Sequence, residues 1–249
     1  MKDLRGYLDS TFLKTVSDFD GDETACKLLV GEVVREAVFE RFKLVMIRPE
    51  FISFARGIID KVKSNVLVGT VIDFPLGSGG LELKLKEASN AIDNGVDELD
   101  FVVDYNAFKV GEIAKVRKEI EVCTLFALSK GKVVKWIIEV AALTDKEIIQ
   151  LTTLVKKVVL STCEERDYQK VFVKSSTGYF KTENGKGNGA TIHSLVLMLE
   201  NSGPLPVKAS GGIRTREVAL SMLRLGIKRI GTSSAKVIVT GEGDEVVDY

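Results

Sequence analysis

The sequence predicts an α/β fold of the (β/α)₈ TIM-barrel type, with an N-terminal extension and a short C-terminal tail, as one domain over residues 1–249. Three observations predict it. Short β-branched runs alternate with amphipathic stretches about eight times, which is the size and count of that barrel. The strand candidates are near-continuous apolar runs, as expected of parallel strands buried on both faces. The first strand is not followed by GxGxxG, and no helix start carries a GxxxxGK phosphate loop, which argues against the doubly wound open sheet.

The expected strands are, in order, Gly6–Asp9, Leu44–Arg48, Val66–Ile72, Glu98–Val103, Val133–Val140, Val171–Lys174, Pro206–Ala209 and Lys228–Thr232. Helical patterns lie between them. Leu81, Leu85, Ala88 and Ile92 share one helical face, and Gly95 follows as a stop. Thr144-Asp145-Lys146-Glu147 is a capping box opening a helix that carries Ile148, Leu151, Val155 and Val158. Glu217 to Leu225 forms a short helix ended by Gly226. Ser161–Lys170 is a helix end plus loop, and Lys181–Gly189, rich in Gly, Asn and Lys, reads as a mobile loop. Gly241–Tyr249 is an acidic tail, of the kind that frays by default.

Composition narrows the function. Lys plus Arg (35) equals Asp plus Glu (35), so no global field gathers nucleic acid or anionic lipid, and any anion is bound locally. Three distant cysteines outside any CxxC pattern argue for a reducing, cytoplasmic location and against a disulfide framework or zinc knuckle. Met1 to Asp9 is charged and lacks the apolar core of a signal peptide, and no apolar run reaches the length of a membrane span. The single histidine, His193, excludes HExxH and multi-histidine zinc sites and is expected on a helix surface. No metal and no cofactor are expected.

In such barrels the reacting groups project from the carboxyl ends of the strands. Lys174 and Lys208 end two apolar strands and run into glycine-containing loops. Burial and mutual repulsion would push an amine there toward neutrality, which makes it nucleophilic; the plainer reading is a strand-end lysine with its head in water. Asp100 lies within apolar Leu99-Asp100-Phe101-Val102 and needs partners, either as a structural ion pair or as a proton carrier beside the lysines. Asp9, at the expected end of the first strand, and Glu139 are open between structural pairing and substrate contact. Ser210-Gly211-Gly212-Ile213-Arg214-Thr215 and Ile230-Gly231-Thr232-Ser233-Ser234 each lead into a helix, in the last two units, where barrels often bind phosphate. Together these features fit a metal-independent Schiff-base reaction on a phosphorylated sugar.

The motifs resemble those of deoxyribose-phosphate aldolase, in order and over most of the chain. Leu8-Asp9-Ser10-Thr11-Phe12-Leu13-Lys14 resembles its LDxTxLK, and Val71-Ile72-Asp73-Phe74-Pro75-Leu76-Gly77 its VIGFPLG. Glu98-Leu99-Asp100 is similar to its E-x-D segment, and Phe172 to Gly178 to its FVKTSTG. Val207 to Thr215 and Ile230 to Ser234 resemble its VKASGGIRT and RIGTSS.

The resemblance implies a class I aldolase acting on 2-deoxy-D-ribose 5-phosphate. Lys174 would be the nucleophile, Lys208 the like charge beside it and Asp100 the proton relay. Asp9 and Thr11 would contact the substrate chain. Gly178, Gly211, Gly212, Gly231, Ser233 and Ser234 would bind its phosphate, and Tyr249 is a candidate proton donor. It also implies a homo-oligomer, dimer or tetramer. Ser10, Arg48, Asp73, Val140 and Tyr179 depart from the family pattern and bear on substrate detail. An aldolase for another phosphorylated sugar and a silent phosphosugar-binding protein are the rival readings.

Overall fold

The computed structural model describes residues 3–183 and 187–241. Eight parallel strands close on themselves in chain order: β1 (Leu8–Phe12), β2 (Leu44–Ile47), β3 (Leu67–Ile72), β4 (Glu98–Val102), β5 (Val133–Ile137), β6 (Val171–Lys174), β7 (Val207–Ser210) and β8 (Arg229–Thr232). Helices α1 (Glu23–Glu40), α2 (Ile52–Lys61), α3 (Gly80–Asp93), α4 (Tyr105–Lys109), α5 (Ile113–Ser129), α6 (Asp145–Thr162), α7 (Ile192–Ser202), α8 (Arg216–Leu225) and α9 (Ala235–Thr240) surround them. No helix among the described residues is long and apolar enough to cross a membrane.

The local signals act as expected. Thr144 and Glu147 form the capping box of α6, and Ile148, Leu151, Val155 and Val158 are its buried face. Gly226 ends α8 in the left-handed conformation that a side chain would resist. The main core lies between barrel and helices. There Trp136 stacks on Phe101 with ring centroids 5.0 Å apart, and its indole N–H donates to Thr124 Oγ1 at 2.9 Å.

Most strands differ from the sequence reading by a residue at one end or the other, and the carboxyl ends of β1 and β5 differ by three, which matters for the site. β1 begins at Leu8 and runs on to Phe12, because its pairing with β2 continues to Phe12↔Ile47. Asp9 is therefore inside the strand and not at its carboxyl end. β5 stops at Ile137, and Glu139 beyond it turns into the left-handed region at φ 56°. In a strand the side chains alternate between faces, so register decides which charges meet inside the barrel. Asp100 is level with Lys135, Lys174 with Lys208, and Lys208 with Arg229.

Candidate active site

Seven ionisable side chains fill the barrel axis: Asp9, Glu98, Asp100, Lys135, Lys174, Lys208 and Arg229, all buried. Asp100 is the hub. Its Oδ2 accepts from Lys174 Nζ and Lys208 Nζ, both at 2.9 Å, and its Oδ1 accepts from Lys135 Nζ at 2.6 Å. Lys135 also pairs with Glu98 (2.7 Å), and Lys208 with Asp9 (2.6 Å). Arg229 bridges Asp9 and Glu98, donating from Nε to Asp9 at 2.8 Å and from Nη1 and Nη2 to Glu98 at 3.1 Å. Gly231 gives this packing its room, since a Cβ there would lie 3.1 Å from Lys208 Cε.

Counting charges singles out one amine. Among the side chains in direct contact, four cations face three carboxylates, so full ionisation would leave one cation without a touching carboxylate of its own. Among the described residues Lys135, Lys208 and Arg229 each touch two carboxylates, whereas Lys174 touches Asp100 alone. Loss of the Lys174 proton balances the cluster. The Lys174 amine is lowered to about 8: burial pushes it down most, Asp100 pulls it up, and the Lys208 and Lys135 charges push it down. Burial alone would raise the Asp100 carboxyl, but Lys135, Lys174 and Lys208 hold it well below the usual carboxylate range. Asp9 is likewise brought to about 2, against burial, by Arg229, Lys208 and Lys135.

Lys174 also reaches a cavity of about 290 Å³ at the carboxyl end of the barrel. Thr11, Gly178, Gly211, Gly212, Gly231 and Ser233 line it together with Lys174. Gly211 takes φ +86° and meets Gly189 so closely that a Cβ on either residue would collide with the other's backbone. No Asp or Glu is among the described residues lining the cavity, but Lys14 and Arg214 are. This cationic, amide-rich wall suits a phosphate dianion. Helix α9, the last among the described residues, has only six residues, so the backbone amides and the two cations carry that end more than a helix dipole does.

The structure therefore brings together Lys174, Lys208 and Asp100, and separately Thr11 with the glycines and Ser233. Two residues expected at the substrate lie outside this lining. Asp9 is not a wall of the cavity: its carboxylate is fully buried and held by Lys208 and Arg229, because β1 extends past it. Ser234 is outside the lining and donates its amide to Thr232 Oγ1 at 2.9 Å. Asp73 is outside the lining, its Oδ2 accepting from Lys84 Nζ at 2.7 Å and from the Gly79 amide at 2.9 Å. Tyr249 lies outside the described residues. His193 is exposed and meets Asp145 at 2.8 Å, outside the cavity lining.

Sequence reasoning missed Lys135, Glu98 and Arg229, although Lys135 gave the same signal as Asp100, a lone charge inside an apolar strand. It also missed Asn188, whose Nδ2 donates to Gly178 O at 2.8 Å and which lines the cavity; no sequence pattern marks it. Arg48 lies outside the lining, with its guanidinium over the Phe74 ring (4.9 Å) and near the Tyr179 ring (5.9 Å). Its Nε donates to Leu13 O at 2.8 Å. Phe74 and Tyr179 meet edge to face at 5.1 Å. Tyr179 forms part of the cavity wall.

No family model matches the chain. The deoxyribose-phosphate aldolase of Thermococcus gammatolerans is 38% identical over 240 residues, 96% of each chain. A solved structure described as an aldolase, QR15, superposes with a TM-score of 0.80 at 30% identity, covering 97% of this chain and 96% of its own. The deoxyribose phosphate aldolase of Aeropyrum pernix, described as tetrameric, gives a TM-score of 0.76 at 29% identity, with 96% and 90% covered.

Proposed function

The chain belongs to the deoxyribose-phosphate aldolase family, and on that premise we propose that it is a class I aldolase with Lys174 as its Schiff-base nucleophile. It cleaves 2-deoxy-D-ribose 5-phosphate reversibly to acetaldehyde and D-glyceraldehyde 3-phosphate. One observation carries the assignment of Lys174: among the barrel's buried cations it alone both touches a single carboxylate and faces the cavity.

The neutral Lys174 amine attacks the C1 carbonyl of the open-chain sugar, and the carbinolamine loses water to give a protonated imine. Loss of the C3 hydroxyl proton then sends the C2–C3 bonding electrons into the imine. D-glyceraldehyde 3-phosphate leaves, and an enamine remains on Lys174. Protonation at C2 and hydrolysis release acetaldehyde and restore the amine. Asp100 relays protons between the reacting nitrogen and Lys208, since one oxygen accepts from both amines. Lys208 and Lys135 keep Lys174 short of a second counter-ion. The backbone at Gly178, Gly211, Gly212 and Gly231 binds the phosphate with Ser233, Lys14 and Arg214. Thr11 contacts the sugar chain. A homo-oligomer fits this reading, supported by the tetrameric description of the Aeropyrum relative, and a cytoplasmic location fits three distant cysteines outside any CxxC pattern.

Borohydride reduction in the presence of deoxyribose 5-phosphate tests the proposal. A mass increment on the Lys174 peptide, absent from Lys174→Leu, is expected. Substrate binding without any adduct would instead make the protein a silent phosphosugar binder. Turnover of a ketose phosphate in preference to deoxyribose 5-phosphate would reassign the substrate.

A further inference from the structure

Glu139 occupies a position that resists a side chain. Its backbone is left-handed (φ 56°, ψ 70°) and the residue is buried, 1% exposed. A non-glycine residue held in that conformation is strained, and such strain persists where the surroundings over-determine it. Here the surroundings are the segment that carries Lys174. On one side of Glu139, the Ile138 amide donates to Lys174 O at 3.0 Å; on the other, the Val140 amide donates to Ser175 O at 2.9 Å. The turn between these two bonds sends the Glu139 carboxylate to Thr177. Its Oε2 accepts from the Thr177 amide at 3.0 Å and from the Thr177 hydroxyl. Thr177 Oγ1 in turn accepts from the Tyr179 amide at 3.0 Å. Thr177, Gly178 and Tyr179 line the cavity; Glu139 does not.

The rest of the segment is tied down on the opposite side. Ser175 Oγ donates to Ser210 O at 3.1 Å and accepts from the Ser210 amide at 3.0 Å. Ser210 Oγ donates to Ser176 O at 2.6 Å. Residues 175 and 176 thus hang from β7, while the polar groups of residue 177 hang from Glu139. Without the Glu139 carboxylate, a buried amide and a buried hydroxyl would lose their acceptor just where the wall begins.

We infer that Glu139 is a positioning residue, holding the Thr177–Gly178 wall at a fixed distance from Lys174 so that the substrate's phosphate and carbonyl ends are bound in register. The inference rests on the aldolase reading above. Phosphate binding would be converted into carbonyl alignment through this one side chain, since energy from a remote group speeds reaction only when geometry couples it to the reacting atoms.

Three variants separate this role from a charge effect on Lys174. Glu139→Gln keeps an acceptor oxygen at the same reach and removes the charge. Glu139→Asp keeps the charge and withdraws the acceptor, and Glu139→Ala removes both. The kcat/KM for deoxyribose 5-phosphate should stay within about threefold of wild type in E139Q and fall about a hundredfold in E139D and E139A. The loss with unphosphorylated 2-deoxyribose should be at least about tenfold smaller. Lys174 should remain trappable by borohydride in all three. Equal losses on the two substrates, or E139Q as impaired as E139D, would overturn the inference, and the E139Q and E139D pair decides it even if E139A does not fold. A wild-type protein inactive on deoxyribose 5-phosphate would overturn the aldolase reading and this inference together. An active wild type with unimpaired E139D would overturn the inference alone.

Discussion

Replacing Lys208 with methionine removes one cation from the barrel axis while leaving most of its bulk. The Lys174 and Lys208 nitrogens each lie 2.9 Å from the same oxygen of Asp100. At a separation of about 5 Å and an effective dielectric of about 20, two unit charges repel by roughly 3 kcal/mol. That corresponds to roughly two pH units in the titration of Lys174. The sign is upward: removal takes away a like charge and leaves Asp100 with one partner fewer to attract. Wild-type Lys174 titrates at about 8, so roughly a tenth of it is neutral at pH 7. In K208M the neutral fraction at pH 7 falls to roughly a thousandth. The kcat/KM for deoxyribose 5-phosphate should then drop about a hundredfold at pH 7, with the gap closing as pH rises toward about 10. A pH series of kcat/KM, with borohydride trapping at each point, reads the acidic limb directly. A limb that stays within about half a pH unit of wild type would refute the charge argument.

Three further outcomes test other parts of the site. Lys135→Met leaves Asp100 and Glu98 short of a buried partner and should cost about 3–5 kcal/mol in denaturant unfolding; a cost under about 1 kcal/mol would remove Lys135 from the network. Asp9 is held at about 2 in the folded protein, below its unfolded value, so its stabilising contribution is present above the unfolded value and lost as pH falls toward 2. The stability difference between wild type and Asp9→Asn, about 2 kcal/mol at neutral pH, should shrink over that range, and a gap that persists at pH 2 contradicts the pairing. Arg214→Ala should raise KM for deoxyribose 5-phosphate about tenfold and weaken competitive inhibition by inorganic phosphate in parallel; unchanged phosphate inhibition would place the dianion elsewhere.

The barrel was legible because its signals are local. Strand runs, the Thr144 capping box and the Gly226 stop each depend on residues within a turn or two of one another. The two lysines and Asp100 were legible for a related reason, since a charge among apolar residues stands out in the chain itself. The ends of β1 and β5 were not, because a strand stops where its neighbour stops bonding to it, and that neighbour is remote in sequence.

Taken alone, then, the chain determined an eight-unit α/β barrel with two lysines and an aspartate aimed at one mouth, and a glycine-rich end for an anion. Closure of the sheet decided the rest. Asp9 meets Arg229 across 220 positions and Lys208 meets Asp100 across 108, so no local pattern states that Lys174 is left with a single carboxylate. Nor does one place Lys14, Asn188 and Arg214 around a common cavity, or set Glu139 beneath Thr177. The physical reason is that a lysine's proton affinity in a dry interior depends on every charge within a few ångströms, and only the closed barrel fixes which charges those are.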